Sequence, residues 1–571
     1  MSAASAQPTV APTSGPTDLA HGSEERPRLA ARALTDALLL GVVGDALFRA
    51  PTWGANMTVW AFAIMAAMLT LARRRYDGIP RDAKWLTVPA LALAITLAWH
   101  ANDALAVYTV LAFLGTLALI AAAIARGPNE TLLDSRLRDL AHNALVFGLS
   151  TLLGMIPLAL SDVSFRQVAG ARTVGRAMTG LRAALVAIPL LLIFGGLFAA
   201  ADPVFARIVT DLFHLDPETV VSHVVVTGFI AWLVGGLLRA TVLSTGRTER
   251  GIPFPDGALG LTEVSVALGS LVLLFAAFVV VQLRYFFGGA ALVQSTAGLS
   301  YADYARKGFF ELVTVGALVL PVLLAGNALL RRESPRAQRV FQVLAGTLLW
   351  LMFIIMYSAL RRMQLYVSVY GLSLDRLFAT VFMGWLALVL AWFAVTVLRG
   401  RERPFLFGVV TSGWATLITL AAADPAGFVT RFDIARAAEE KSVDVRYLAS
   451  LGADAAPDLA QFLTRERAGI PAGWIIPGLD VTASADVMPN AFHDAVAPDV
   501  PRVADFGERC EAARRLLREW APETPTDWRG WTLARRSARR AVATHERALR
   551  KLAGSLRVGD RPVACPAPRS T

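Results

Sequence analysis

The sequence predicts an all-α fold: a polytopic helical membrane protein with about 11–13 spanning helices and a small helical C-terminal extramembrane region. Three observations carry this. Long apolar segments recur from Ala33 to about Ala423. Charged residues make up 17% of the chain and hydrophobic ones 55%, with a mean hydropathy of +0.52. Soluble domains average about 25% charged residues. The composition then changes at Asp424, where Pro, Asp, Glu and Arg return.

The elements follow in chain order. Residues 1–32 begin with a stretch rich in Ala, Ser, Pro and Thr and lack the apolar core of a signal peptide, so they read as a disordered N-terminal tail. Residues 33–423 form the multi-pass domain. A span needs about 20 apolar residues at roughly 1.5 Å each. Segments near 33–49, 54–72, 85–99, 104–125, 141–160, 182–201, 220–243, 262–283, 309–330, 338–358, 374–398 and 405–423 are the spanning candidates. The first is the weakest, because it carries Asp36 and Asp45.

Loop charges set orientation, since cytoplasmic loops collect Lys and Arg. Arg26, Arg28, Arg32, Arg73, Arg74, Arg75, Arg81, Lys84, Arg126, Arg136 and Arg138 place the N-terminus inside. Arg331, Arg332, Arg336, Arg339, Arg399, Arg401 and Arg403 place their own loops inside as well. The two sets agree only if 141–160 is not a simple crossing, or if a crossing is missing from the count. Gly148, Gly154 and Pro157 are compatible with a re-entrant or broken segment, and an extra crossing resolves the conflict as well. The C-terminal region is then expected outside.

Residues 424–571 read as a helical, basic extramembrane region. Asp444 to Arg465 resolves into two short helices broken at Gly452 and Pro457. Arg502–Ala521 and Trp531–Leu556 read as amphipathic helices, and Arg502–Arg557 holds 14 Lys/Arg against 7 Asp/Glu. The chain has two cysteines, Cys510 and Cys565, which could pair outside the cytoplasm and are too few to favour a metal site made of cysteine.

The densest polar chemistry lies beside the eighth to eleventh segments. One patch holds Arg284 and Tyr285, then Tyr301, Asp303, Tyr304, Arg306 and Glu311. The other holds Arg361, Arg362, Tyr366, Tyr370, Asp375 and Arg376. In each, Gly-Leu-Ser precedes an acid, and Ser300 or Ser373 is spaced to cap the following helix. The similarity has the form of a parallel repeat. Two readings compete. Tyr and Arg at headgroup level serve as ordinary interfacial belts. Alternatively, these thirteen residues line a polar site that takes an anionic headgroup or phosphate, onto which Arg forks. Glu311 pairs with Arg306 or Lys307 in the first reading and relays a proton or ion in the second. Asp36, Asp45, His223, Arg239, Glu263 and Asn327 are further polar groups in or beside spans.

No Gly-rich phosphate loop, His-Glu-x-x-His, zinc-spaced Cys pair or nucleophile elbow is present, and no cofactor is expected. At Leu197–Phe205, Leu283–Gly289, Tyr301–Leu312, Arg361–Arg376 and Asp444–Pro457 the chain resembles a family of bacterial multi-pass membrane proteins of unknown function, domain of unknown function 4173. The resemblance runs from about Ala33 to Leu463. It implies a bacterial integral membrane protein, multi-pass in the inner membrane, and no reaction.

Transport, or lipid and anion handling near the eighth to eleventh segments, is the first functional expectation. A membrane-embedded sensor, assembly factor or scaffold working through the C-terminal region is the second. An enzyme acting on a lipid-linked substrate is the third. Membrane lipids, including anionic headgroups, are the expected partners, and nucleic acid is not.

Overall fold

The computed structural model describes residues 16–76, 78–128, 146–162, 194–195, 198, 201–202, 217–243, 259–287, 309–331, 334–437, 443–465, 506–523, 527–554, 557–558 and 561–562. Helices α1 (Pro16–Phe48), α2 (Ala55–Tyr76), α3 (Arg81–Trp99) and α4 (Asp103–Arg126) come first. The short α5 (Met155–Pro157) and α6 (Pro217–Val242) follow. Then come α7 (Leu261–Phe287), α8 (Phe309–Leu329), α9 (Pro335–Tyr370), α10 (Leu374–Thr396) and α11 (Arg403–Ala422). The C-terminal region holds α12 (Pro425–Ala437), α13 (Val445–Ser450), α14 (Ala456–Thr464), α15 (Phe506–Trp520) and α16 (Leu533–Gly554). A two-residue antiparallel pair, Arg557–Val558 with Arg561–Pro562, follows.

Among the described residues, eight helices are long and apolar enough to cross a membrane: α2, α4 and α6 to α11. The protein is therefore an all-α polytopic membrane protein. Helices α1 and α3, expected as spans, are not among the eight. Helix α1 begins at Pro16, so the segment read as a tail to residue 32 is helical over its second half. The 182–201 segment lies almost wholly outside the described residues.

The chain divides into two compact units. The first comprises Met1–Pro51, Asn56–Leu91 and Phe113–Glu249. In it α1 packs along α6, and small residues permit the approach. A Cβ on Gly41 would lie 2.7 Å from the Thr227 carbonyl, and one on Gly236 would lie 1.8 Å from the Thr151 carbonyl. Neither position can take a side chain without backbone movement.

Segment 146–162 in this unit is a broken helix. It turns at Gly154, resumes as α5 and widens into a π-helix at Leu158–Asp162. Pro157 cannot donate to the preceding turn, which forces the break. Trp232 donates to the Leu152 carbonyl at 2.6 Å beside it. Asp162 then meets Arg239 at 2.6 Å and Arg26 at 3.6 Å. Arg239 ends α6, as Arg75 ends α2 and Arg126 ends α4. Arg75 reaches the Thr241 carbonyl at 3.1 Å and stacks on Tyr76, against which Gly127 packs. The chain therefore leaves α4 and reaches Asp162 at the same, Arg-rich end of the unit. Residues 129–145, which complete the path between these two points, lie outside the described residues.

The second unit comprises Thr52–Ala55, Ala92–Ala112 and Arg250–Thr571. Helix α9 packs against α7, α8 and α10, and α10 against α11. Ser334 caps α9 by accepting from Ala337 N–H at 3.3 Å. Gly371 ends the helix at φ +81°, a left-handed turn that glycine takes without strain. Ser373 then caps α10 by accepting from Arg376 N–H at 3.3 Å, with Asp375 in the first turn, as the spacing predicts. The C-terminal helices build a core of their own from Leu448, Leu459, Leu463, Leu516, Val542 and Leu549 with many alanines.

Candidate functional site

Polar side chains of the second unit gather where α12 to α16 meet the turns between long helices. Three such contacts form a clamp. The first is the most buried. His100 follows α3 directly and stacks on Trp99, with ring centroids 6.0 Å apart. Asp454 lies in the turn after Gly452, whose φ of +80° reverses the chain between α13 and α14. One Asp454 oxygen sits 2.9 Å from His100 Nδ1, and the other accepts from Ala101 N–H at 2.9 Å. Asp424, at the α11–α12 junction, holds φ +51°, a left-handed conformation that Asp tolerates better than most residues. It accepts from Gly427 N–H at 3.1 Å and meets Arg431 at 3.6 Å.

One donor atom each from His100, Asp424 and Asp454 lie within 4.8 Å of one another. A nitrogen and two carboxylates form a set that could hold a divalent cation. They equally form an imidazolium held between two acids. Burial disfavours the charged imidazole, but the hydrogen bond and charge of Asp454, the charge of Asp424 and the Ala421 carbonyl outweigh it and raise its pKa. Burial likewise raises Asp424, with Asp454 adding to the rise while Gly427 N–H, His100 and Arg431 oppose it.

The second contact grips the α9–α10 turn. Asp433 accepts from Leu372 N–H at 2.9 Å, and the Tyr447 hydroxyl accepts from Leu374 N–H at 2.8 Å. Arg436 donates to the Ser368 carbonyl at 2.9 Å and pairs with Asp433 at 3.7 Å. Burial raises the pKa of both Asp433 and Tyr447. The third contact grips residues 52–55. Ala55 N–H donates to the Trp531 carbonyl at 2.9 Å, and Arg535 donates to the carbonyls of Trp53, at 2.9 Å, and Gly530. Burial lowers the Arg535 pKa, against the charges of Asp103 and Asp454.

The sequence-predicted residues fall around this clamp. Arg376 stacks on Tyr366, 4.1 Å from its centroid, and donates to the Gly371 carbonyl. Tyr366 and Tyr370 contact each other at 5.2 Å. Arg361 pairs with Gln364 at 3.1 Å. Arg362 donates to Gln282 at 2.7 Å, and Ser358 donates to the same oxygen at 2.8 Å, so a buried polar bridge links α7 and α9. Asp375 lies in the first turn of α10, and Glu311 is exposed in the first turn of α8. Arg284 and Tyr285 belong to α7, with side chains outside the described residues. Tyr301, Asp303, Tyr304 and Arg306 lie wholly outside them, as do Ser300 and Lys307.

A second His–Asp pair sits in the first unit. Asp45 on α1 accepts from Arg49 at 2.9 Å and contacts His223 Nδ1 on α6, and Arg49 also donates to Ser222 at 3.2 Å. Sequence reasoning singled out Asp45 and His223 but did not pair them. It did not single out His100 or Asp424. Asp454 entered only as part of the Asp444–Pro457 segment.

Comparison with known proteins gives one family. Residues 87–462 match the family model described as Domain of unknown function (DUF4153). The chain belongs to the DUF4153 family. This corrects the resemblance to domain of unknown function 4173, a different family: the segments that carried it fall almost wholly inside the DUF4153 match. No curated protein and no solved structure matches the chain. In this DUF4153 protein the match ends at 462, so it takes in His100, Asp424, Asp433, Tyr447 and Asp454 but not α15 or α16.

Proposed function

We propose that this DUF4153 protein is a membrane-embedded sensor or scaffold whose C-terminal helical domain is the working part, held on the extracytoplasmic ends of its spanning helices. The single observation that carries the reading is the clamp. A domain with its own core is fixed to three separate inter-helix turns by polar bonds, of which the His100–Asp454 bond is buried. Such an arrangement couples the domain to the membrane helices instead of leaving it on a linker.

Sidedness rests on charge. In the second unit, Arg331, Arg336, Arg339, Arg399, Arg401 and Arg403 cluster at the α8–α9 and α10–α11 junctions, the end opposite to Gly371 and the C-terminal helices. Basic junctions belong in the cytoplasm. Cys510 is disulfide-bonded, which suits an oxidising compartment; the other cysteine, Cys565, lies outside the described residues. Anionic and zwitterionic lipids are the proposed partners, nucleic acid is not, and the bacterial inner membrane is the proposed location.

The test deletes residues 440–571 from the gene in its host. Loss of the phenotype that full-length protein rescues, with the helices still inserted, supports the reading. Full rescue by the truncation overturns it. A reporter active only in the cytoplasm, fused after Thr571, should be silent; activity there overturns the sidedness.

Transport, or lipid and anion handling, is the second reading, supported by the buried Gln282–Ser358–Arg362 bridge within the helices. It requires that Arg362→Gln abolish substrate movement while leaving insertion intact.

A further inference from the structure

The C-terminal domain carries large apolar side chains that its own core does not use. On α12, Phe428 is 43% exposed and Phe432 is 36% exposed, and their rings contact each other at 6.4 Å. Ala426, Val429, Thr430 and Asp433 fill the opposite face of that helix. At the 3₁₀ turn before α16 and the start of that helix, Trp528 is 62% exposed, Trp531 43% and Leu533 42%, while Gly530, Thr532 and Ala534 between them are buried. Apolar groups therefore point outward in register at two places in a domain whose composition is otherwise that of a soluble protein.

Both places adjoin the membrane helices. Only Ala423 and Asp424 separate α12 from α11, a spanning helix. Trp531 bonds directly to Ala55, the first residue of α2, also a spanning helix, and Trp53 beside it is 41% exposed. Tryptophan and phenylalanine prefer the level of the lipid headgroups, and basic residues beside them complement lipid phosphate. Arg431 lies on the exposed face of α12 between the two phenylalanines and Arg529 between the two tryptophans, but Arg431 is paired with Asp424 and Asp458 and Arg529 with Asp527, so the apolar side chains define the surface.

We infer that the underside of the C-terminal domain is itself a lipid-binding surface: Phe428 and Phe432 of α12, Trp528 and Trp531 of the turn before α16, and Leu533 at the start of α16 insert into the headgroup layer of the bilayer that the spanning helices cross. The inference holds on whichever side of the membrane the domain lies, so it stands or falls separately from the proposed sidedness.

The test uses full-length protein in nanodiscs of phosphatidylcholine and phosphatidylglycerol. Nitroxide labels are placed at Trp528→Cys, at Phe432→Cys and, as a solvent reference, at Ala543→Cys on the exposed face of α16; unsubstituted protein taken through the same labelling is the blank. Labels 528 and 432 should relax preferentially with dissolved oxygen, whereas label 543 should relax preferentially with a water-soluble nickel chelate. Matching behaviour of 528 or 432 with 543 overturns the inference. Should Trp528→Cys fail to fold, Leu533→Cys at the start of α16 reads the same surface, with the same two outcomes.

Discussion

Among the described residues, two histidine–aspartate pairs are joined through Nδ1, and their surroundings differ. In the pair between α1 and α6, the His223 side chain is 46% exposed and Asp45 already has Arg49 as a partner. In the pair between the end of α3 and the α13–α14 turn, the His100 and Asp454 side chains are 6% and 3% exposed. Asp454 takes its only other bond described here from a backbone amide. The first aspartate therefore keeps a permanent cation whatever His223 does. The second has its histidine as its directly bonded charge partner, with Arg535 acting on it through space. The same chemical pair is an accessory in one place and a fastener in the other.

The largest expected effect breaks the fastener. Asp454→Ala strands a buried His100 and should cost about 3–5 kcal/mol, as removing one partner of a buried pair does. Faster limited proteolysis around α13 and α14 in detergent, with the spanning helices intact, is the readout. A variant as resistant as the parent would show that the pair does not hold the domain.

The next effect is that of pH. The folded pKa of His100 lies above its ordinary value of about 6.5, so its contribution is complete below that value. It is lost as pH rises through the raised folded value. Asp424, also raised, has the same sign, but its contribution is complete only below its ordinary carboxylate value and declines from there. Thermal midpoints taken from pH 6 to 9 should fall toward the alkaline end, and His100→Asn should flatten that slope. An equal slope in His100→Asn would place the titration elsewhere.

Tyr447→Phe removes the acceptor of the Leu374 amide and should cost about 1–3 kcal/mol, because the amide loses its partner in a partly buried place. The smallest change is expected from His223→Ala, about 0–1 kcal/mol, since Arg49 remains on Asp45 and the imidazole is half exposed. If His223→Ala proved as costly as Asp454→Ala, exposure would not be what separates the two pairs.

The membrane helices were legible because apolar length is a local property. Segments near 54–72, 104–125 and 374–398 became α2, α4 and α10 within a few residues. The Ser373 cap was legible from its spacing. The short helices of 444–465 were marked by Gly452 and Pro457. The clamp was not legible. His100 and Asp454 are 354 residues apart, and no period or spacing connects a lone histidine at a helix end to an acid in a distant turn. Arg376 illustrates the converse. It looked like part of an anion site, but it stacks on Tyr366 and donates to the carbonyls that end α9. Its neighbours in sequence gave no sign of which bond it would choose.

The bond from Arg535 to the Trp53 carbonyl also has a consequence in time. It spans 482 residues. At roughly 5–20 residues per second of synthesis, the turn before α2 is made about 25–95 s before its partner exists. The early turn must enter the membrane and wait, with Ala55 and Trp53 unmatched, until the last helix leaves the ribosome. Synthesis of α16 is then the event that gives this turn its partner, and any product that stops short of α16 leaves the turn before α2 without it.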